Sequence, residues 1–200
     1  MDEQELARTR DFFGPRAAGW EARFRGDGPA YQAAVDALGL APGGRALDAG
    51  CGTGRALPML RAAVGRAGTV VGVDLTPEML ATAAGYGRLA DAALVMADAA
   101  RLPLGEGTVD AVLAAGLLPH LAHPGAALRE LARVTRPGGR LALFHPVGRA
   151  VLAARHGREV RDDDLLSVPT LVPLLLATGW APEAVDDGAE RYLATATRAG

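Results

Sequence analysis

In ALDAGCGTGR, residues 46–55, Asp48 stands two positions ahead of three alternating glycines, Gly50, Gly52 and Gly54. Without a Cβ, the chain can turn sharply there and let a ligand touch its main chain. A tight turn with no ligand is the plainer reading of glycines by themselves. Two more acids sharpen it: Asp74 follows Gly54 by twenty positions, and Asp98 closes a further apolar run. A carboxylate accepts from two donors at once, which suits it to a pair of neighbouring hydroxyls. The spacing argues against a dinucleotide, whose loop reads G-x-G-x-x-G and cradles a pyrophosphate. Here the glycines run G-x-G-x-G, and position 55, where the third would fall, is Arg55. The chain has no lysine at all, so no phosphate-loop lysine either. An acid beside the loop suits a cationic ligand better than a phosphate.

The histidines are the second set. His120 and His123 follow one apolar run, and His145 ends another. Imidazole is the natural proton acceptor near neutral pH. His156, in AARHGR, reads as solvated, and His123, next to Pro124, as a helix-start residue. Cys51 is the only cysteine, which excludes an intramolecular disulfide and a cysteine metal cluster. With no basic partner nearby in sequence, it reads as a small buried loop residue rather than a nucleophile.

The elements that must position these residues alternate. The first forty residues look helical, with PAYQAAVDALGL (29–40) opening on Pro29 and stopping at Gly39. RALDAG (45–50) is a short strand. GRALPMLRAAVG (54–65) is a helix that tolerates Pro58 only in its first turn. GTVVGVDL (68–75) is a β-branched strand, and TPEMLATAAGYGRLA (76–90) a helix with Thr76 as cap and Pro77 at its first position. Strands follow at 93–99, 109–116 and 140–146, with a helix at 124–135 ended by the turn RPGG (136–139). The tail holds helical pieces near 147–156 and 169–178 and strands near 181–187 and 191–198. Continuous apolar strands taking turns with helices specify a parallel sheet covered on both faces. Right-handed crossovers then make it doubly wound, with ligands bound outside the carboxyl ends of its strands. Those ends are Asp48 to Gly50, Asp74 and Leu75, Asp98 and Ala99, Ala115 and Gly116, and His145.

Composition removes other classes. Two hundred residues, half of them hydrophobic, suit one domain with a full core. The formal net charge is -2 and no basic stripe stands out, which disfavours a nucleic-acid partner. The acidic N-terminus lacks the apolar core of a signal peptide. The uncharged run 111–128 reaches about 18 residues, the length of a spanning helix, but its glycines, prolines and histidines break it. The expected location is cytoplasmic, with no membrane partner.

At this point the chain resembles the class I S-adenosylmethionine (SAM)-dependent methyltransferases, in particular the small-molecule group of the ubiquinone/menaquinone-biosynthesis type. ALDAGCGTG is similar to their first motif and VVGVDLTPEML to their second. ADAARLPLGEGTVDAVLAAGLLPHL resembles their middle section, and LARVTRPGGRLALF their last. The resemblance runs from about residue 10 to the end. Departures are a short, unadorned tail and HPVGR after the fifth strand. It implies an α/β, Rossmann-like doubly wound sheet, mostly parallel, of seven strands with an antiparallel last strand. The expected organisation is one methyltransferase domain over 1–200, with a helical lid or cap segment at 1–40 and the catalytic core at 41–200.

The resemblance also implies roles. Asp48, Ala49 and Gly50 would hold the methionine end of SAM, with the Ala115 carbonyl on its amino group, and Gly52 would let the backbone approach. Asp74 would accept both ribose hydroxyls. Leu75 and Met79 would pack on the adenine, Asp98 would accept from its amino group, and the Ala99 N–H would donate to a ring nitrogen. The product would be S-adenosylhomocysteine, the acceptor an unidentified small molecule reacting at oxygen, nitrogen or carbon. No metal is expected.

Methyl transfer from a sulfonium is an in-line displacement, so much of its rate comes from positioning. A base is needed only where the acceptor must lose a proton. His145 and His120 are the candidates, His120 having a plainer reading as a loop residue packed on the cofactor's edge. Acceptor-pocket walls are expected from Phe12, Phe13, Trp20 and Tyr31, from the loop 116–123 and from 145–170. The aromatics could form a lid or simply pack an N-terminal helix. Two other readings stand beside methyl transfer: a non-catalytic SAM-binding sensor or scaffold, and a nicotinamide oxidoreductase, which the glycine spacing disfavours.

Overall fold

The computed structural model describes residues 3–23 and 26–200. The chain begins with α1 (Glu3–Phe13), a 3-10 turn at Gly14–Gly19, α2 (Trp20–Arg23) and α3 (Gly28–Ala37). It then alternates through β1 (Arg45–Ala49), α4 (Leu57–Val64), β2 (Thr69–Asp74), α5 (Pro77–Gly85), β3 (Ala93–Met96) and β4 (Val109–Ala115). After these come α6 (Pro124–Val134), β5 (Thr135–His145), α7 (Arg149–Arg155), α8 (Val168–Ala177), β6 (Trp180–Asp187) and β7 (Tyr192–Arg198).

The strands form one seven-stranded sheet in the order β3-β2-β1-β4-β5-β7-β6. Pairs from β3 to β5 are parallel, and β7 runs antiparallel between β5 and β6. The order reverses between β1 and β4, which is where a doubly wound sheet opens a crevice for ligands.

Alternation along the strands sorts the core into two layers. Ala46, Val70, Leu113 and Phe144 pack with Val35 and Leu38 of α3 and Leu57, Leu60 and Val64 of α4. Leu47, Val73, Val112 and Leu143 pack on the other face with Leu128 and Leu131 of α6, Leu171 and Leu175 of α8, and Trp180. The period of two assigns Asp48 to the α3/α4 face, along with Ala46. It is a carboxylate inside an apolar layer, 2% exposed.

Several boundaries differ from the sequence reading. The stretch RPGG lies within β5 as an excursion: Val109 pairs with Thr135, but Ala111 pairs with Arg140. Thr135 therefore starts the ladder before the turn, and Gly138, at φ 73°, lets the chain loop out and return. β3 stops at Met96 because Asp98 folds the chain: its carboxylate accepts from the Ala100 N–H at 2.8 Å and its carbonyl from the Arg101 N–H at 2.8 Å. The helix expected over 76–90 ends at Gly85, and Gly87, at φ 78°, leads into a short 3-10 turn. Thr76 takes the N-cap position without capping through its side chain. Among the described residues no helix is long and apolar enough to cross a membrane.

Candidate functional site

The glycine loop follows β1 directly. Gly50, Gly52 and Gly54 have φ of 73°, 53° and 77°, a left-handed region that costs other residues about 1–2 kcal/mol. The N–H groups of Gly50 and Cys51 both donate to the Val73 carbonyl, at 2.8 and 2.9 Å, which stitches the loop to the end of β2. A Cβ on Gly50 would lie 2.9 Å from the Leu117 side chain, in the loop after β4. The turn thus brings the ends of β1, β2 and β4 together.

Asp74 holds the next corner. One carboxylate oxygen accepts from the Gly52 N–H at 2.9 Å and the other from the Thr76 N–H at 2.8 Å. The Thr76 hydroxyl and the Leu75 N–H also reach this carboxylate, so two incoming hydroxyls would share its lone pairs with donors already there. Burial raises its pKa, while the Thr76 and Gly52 hydrogen bonds favour the ionised form. The Thr76 hydroxyl serves Asp74 in this way and not the helix. Met79 is buried in the first turn of α5, its sulfur 3.9 Å from where a Gly52 Cβ would stand. Leu75 precedes it, its carbonyl accepting from Arg10 Nε at 3.2 Å.

Asp48 is the anomaly of the site. Its Oδ1 is buried without a hydrogen-bond partner among the described residues. Burial, and next the negative charge of Asp74, push its pKa up to about 7. An orphaned buried carboxylate is costly unless something cationic meets it. A ligand ammonium would do so, and the open backbone at Gly50 gives it room. Cys51 lies beside both acids; burial, then Asp48 and Asp74, raise its pKa well above the ordinary value. It stays a thiol, and Gly72 on β2 leaves room for its sulfur.

The remaining expected residues line the same edge. Ala99 is buried just past Asp98 beyond β3, and Ala115 ends β4. His145 ends β5, with Nδ1 2.9 Å from the Val147 carbonyl. His120 closes a 3-10 turn at Leu118–His120. Burial lowers the pKa of both imidazoles; charge–charge repulsion with His145, when that ring is protonated, adds to the shift at His120, and the Arg155 guanidinium adds to the shift at His145. The Val147 hydrogen bond partly offsets the shift at His145. His123 is the N-cap residue of α6 and reaches Glu5 at 3.7 Å. His156 is exposed at the end of α7.

The N-terminal segment reaches the loops after β1, β2 and β4. The Phe13 ring meets His120 edge-on at 4.9 Å and Trp20 at 5.7 Å. The Thr53 hydroxyl donates to Glu21 at 2.6 Å, and Arg55 reaches Asp27 at 3.5 Å and Glu21 at 3.8 Å. Tyr31 packs edge-on against Phe144 at 4.8 Å, under the Arg55 guanidinium. Beside the end of β5, a cavity of ≈ 270 Å³ is lined by Asp27, Ala30, Pro146, Glu190 and Arg191 among others. Sequence reasoning missed Arg10, Glu21, Asp27 and Arg55 as parts of the site. No local pattern marks them, because the partners named here are 28–65 positions away.

Together, the sheet and its carboxyl-edge loops define a doubly wound protein whose glycine loop, orphaned buried Asp48 and Asp74 meet at one edge of the sheet. Residues 47–143 match the methyltransferase domain family. The chain is 37% identical over 157 residues to a demethylmenaquinone methyltransferase of Beutenbergia cavernae, covering 78% of this chain and 60% of that protein. It is 42% identical over 114 residues to a ubiquinone/menaquinone biosynthesis C-methyltransferase of Syntrophotalea carbinolica, covering 54% and 46%. It spans about half the length of the curated relatives it matches, from 33% to 60%. A SAM-dependent methyltransferase structure from Aquifex aeolicus shares the fold, with a TM-score of 0.67 at 23% identity over 96% of this chain and 98% of that one. By the match over residues 47–143 the chain carries a methyltransferase domain.

Proposed function

We propose that this chain transfers a methyl group from SAM to a small-molecule acceptor. The observation that carries this reading is the orphaned, buried Asp48 beside a left-handed glycine loop whose Gly52 N–H is held by Asp74. Bound SAM supplies an electrophilic methyl on a sulfonium. Asp48, Ala49 and Gly50, with the Ala115 carbonyl, would take the methionine end, and Asp74 the ribose hydroxyls. Met79 and Leu75 would flank the adenine, with Asp98 and Ala99 at its edge.

The chain's own contribution is to hold, cover and deprotonate. The N-terminal segment serves as the cover, fixed by Arg10 to the loop after β2 and by Glu21 to the glycine loop. Its aromatic residues exclude water above His120. The depressed pKa values keep His145 and His120 neutral and able to accept a proton at neutral pH. With its proton on Nδ1, His145 donates to the Val147 carbonyl and carries its lone pair on Nε2. Two relatives are named for quinone biosynthesis, so a quinol-type ring heads the acceptor classes to test.

Methyl-labelled SAM, incubated with the purified chain and a demethylated naphthoquinol, tests the proposal by mass spectrometry. Labelled product with repeated turnover is expected. Tight SAM binding with no transfer to quinols, phenols or amines would favour a non-catalytic sensor or scaffold instead.

A further inference from the structure

Arg55 stands where a dinucleotide fingerprint would carry its last glycine, and none of the roles above uses it. Its side chain is 13% exposed, low for an arginine directly beside an open loop. The guanidinium carbon lies 5.0 Å from the centre of the Tyr31 ring, with Asp27 3.5 Å from Nη1 and Glu21 3.8 Å from Nε. Tyr31 in turn feels Asp48, Asp27 and Glu21 as negative charges and Arg55 as the opposing positive one. Four groups from α2, from the start of α3, from β1 and from the glycine loop therefore converge on one phenol, and three of them are acids.

A ligand with an amino-acid end brings two charges into this place. Its ammonium is matched by Asp48, whose Oδ1 has no partner among the described residues. Its carboxylate would meet a field made negative by Asp48, Asp27, Glu21 and Asp74, unless a cation stood in reach. We propose that Arg55 is that cation: it positions the carboxylate of the methionine end and makes the site prefer a nucleoside bearing an intact amino acid. The inference rests on the SAM reading and adds a specificity residue to it. Guanidinium suits the task because its planar fork matches a carboxylate with two parallel hydrogen bonds, and because it stays charged when desolvated. The Tyr31 ring beneath it adds a cation–π contact that helps hold the guanidinium in place. The acids at 21 and 27 hold the guanidinium at the loop by charge, so the same group links the N-terminal segment to the ligand's end.

A strut that only tied Glu21 and Asp27 to the glycine loop would behave differently, and the ligand's own chemistry separates the two. The full chain and its Arg55→Gln variant are titrated with SAM and with decarboxylated SAM, which lacks only the carboxylate. Circular dichroism checks the fold of each. For Arg55→Gln, SAM should bind about tenfold more weakly or worse, while decarboxylated SAM changes by less than about threefold. The parent's preference for SAM over the decarboxylated compound should collapse. Arg55→Lys, a point charge without the fork, should keep part of that preference, and it serves if the glutamine variant fails to fold. Equal losses for both ligands, or no loss for either, would overturn the assignment while leaving the SAM reading in place. A folded parent that binds neither ligand would overturn both.

Discussion

The two halves of the ligand edge are built by different means. On the β1–β2 side, the glycine loop and Asp74 are joined through backbone groups: Gly50 and Cys51 to Val73, and Gly52 and Thr76 to Asp74. On the β4–β5 side, the contacts run between side chains from distant segments, such as Phe13 on His120 and Tyr31 on Phe144. A backbone-built cradle has one shape and suits one ligand. A side-chain-built wall can change its residues without changing the fold, which is how one sheet serves many acceptors.

The contrast can be broken by variants that strike one half only. The largest effect is expected at His145. With an acceptor that must lose a proton, His145→Ala should lower turnover about a hundredfold and leave SAM affinity unchanged. Because the His145 pKa lies below its ordinary value of 6.5, the parent's rate should hold as pH falls through that value and drop only below it. A pH–rate profile checks this.

Next comes Asp74. Asp74→Ala should weaken SAM by about 1–3 kcal/mol, and Asp74→Asn by less, since the amide oxygen can still accept from one backbone N–H. Calorimetry reads both. If acceptor affinity fell equally in these variants, the two halves would not be separable.

Asp48 gives a smaller effect with an unusual sign. Its folded pKa is raised from 3.8 to about 7. Between these values the folded chain binds more protons than the unfolded one, so this group's contribution to stability falls as pH rises through that window. Asp48→Asn should therefore raise the melting temperature of the free protein at pH 8, a gain that shrinks towards pH 4. The same variant should bind SAM about tenfold more weakly, having lost the charge that meets the ammonium. In the parent, SAM binding near pH 7 should release a proton, measurable by calorimetry in buffers of different ionisation enthalpy.

The smallest effect is expected from Phe13→Ala, which removes one aromatic wall above His120. A several-fold rise in acceptor KM with kcat nearly unchanged would sharpen the division. A loss of SAM affinity instead would assign Phe13 to the cofactor half.

The same division governs what the sequence made legible. The glycine loop, the acids closing β1 and β2, and the strand–helix alternation are local patterns set by short-range geometry, and they are read directly from spacing. The apolar run carries β3 three residues past its end because Asp98 makes its own turn, a competition between side-chain and ladder hydrogen bonds that apolar runs do not reveal. The excursion inside β5 looks like a plain turn in sequence because Thr135 pairs with Val109 only through the sheet. Glu21, Asp27 and Arg55 were invisible as a unit. Their association depends on α2 and α3 folding back over the glycine loop, and no spacing encodes that.

The measurement that most directly tests the reading is calorimetric titration of the purified, folded chain with SAM, S-adenosylhomocysteine and NAD. Binding of the first two and not of NAD is the expected result. Absence of SAM binding, or tighter binding of NAD, would contradict it.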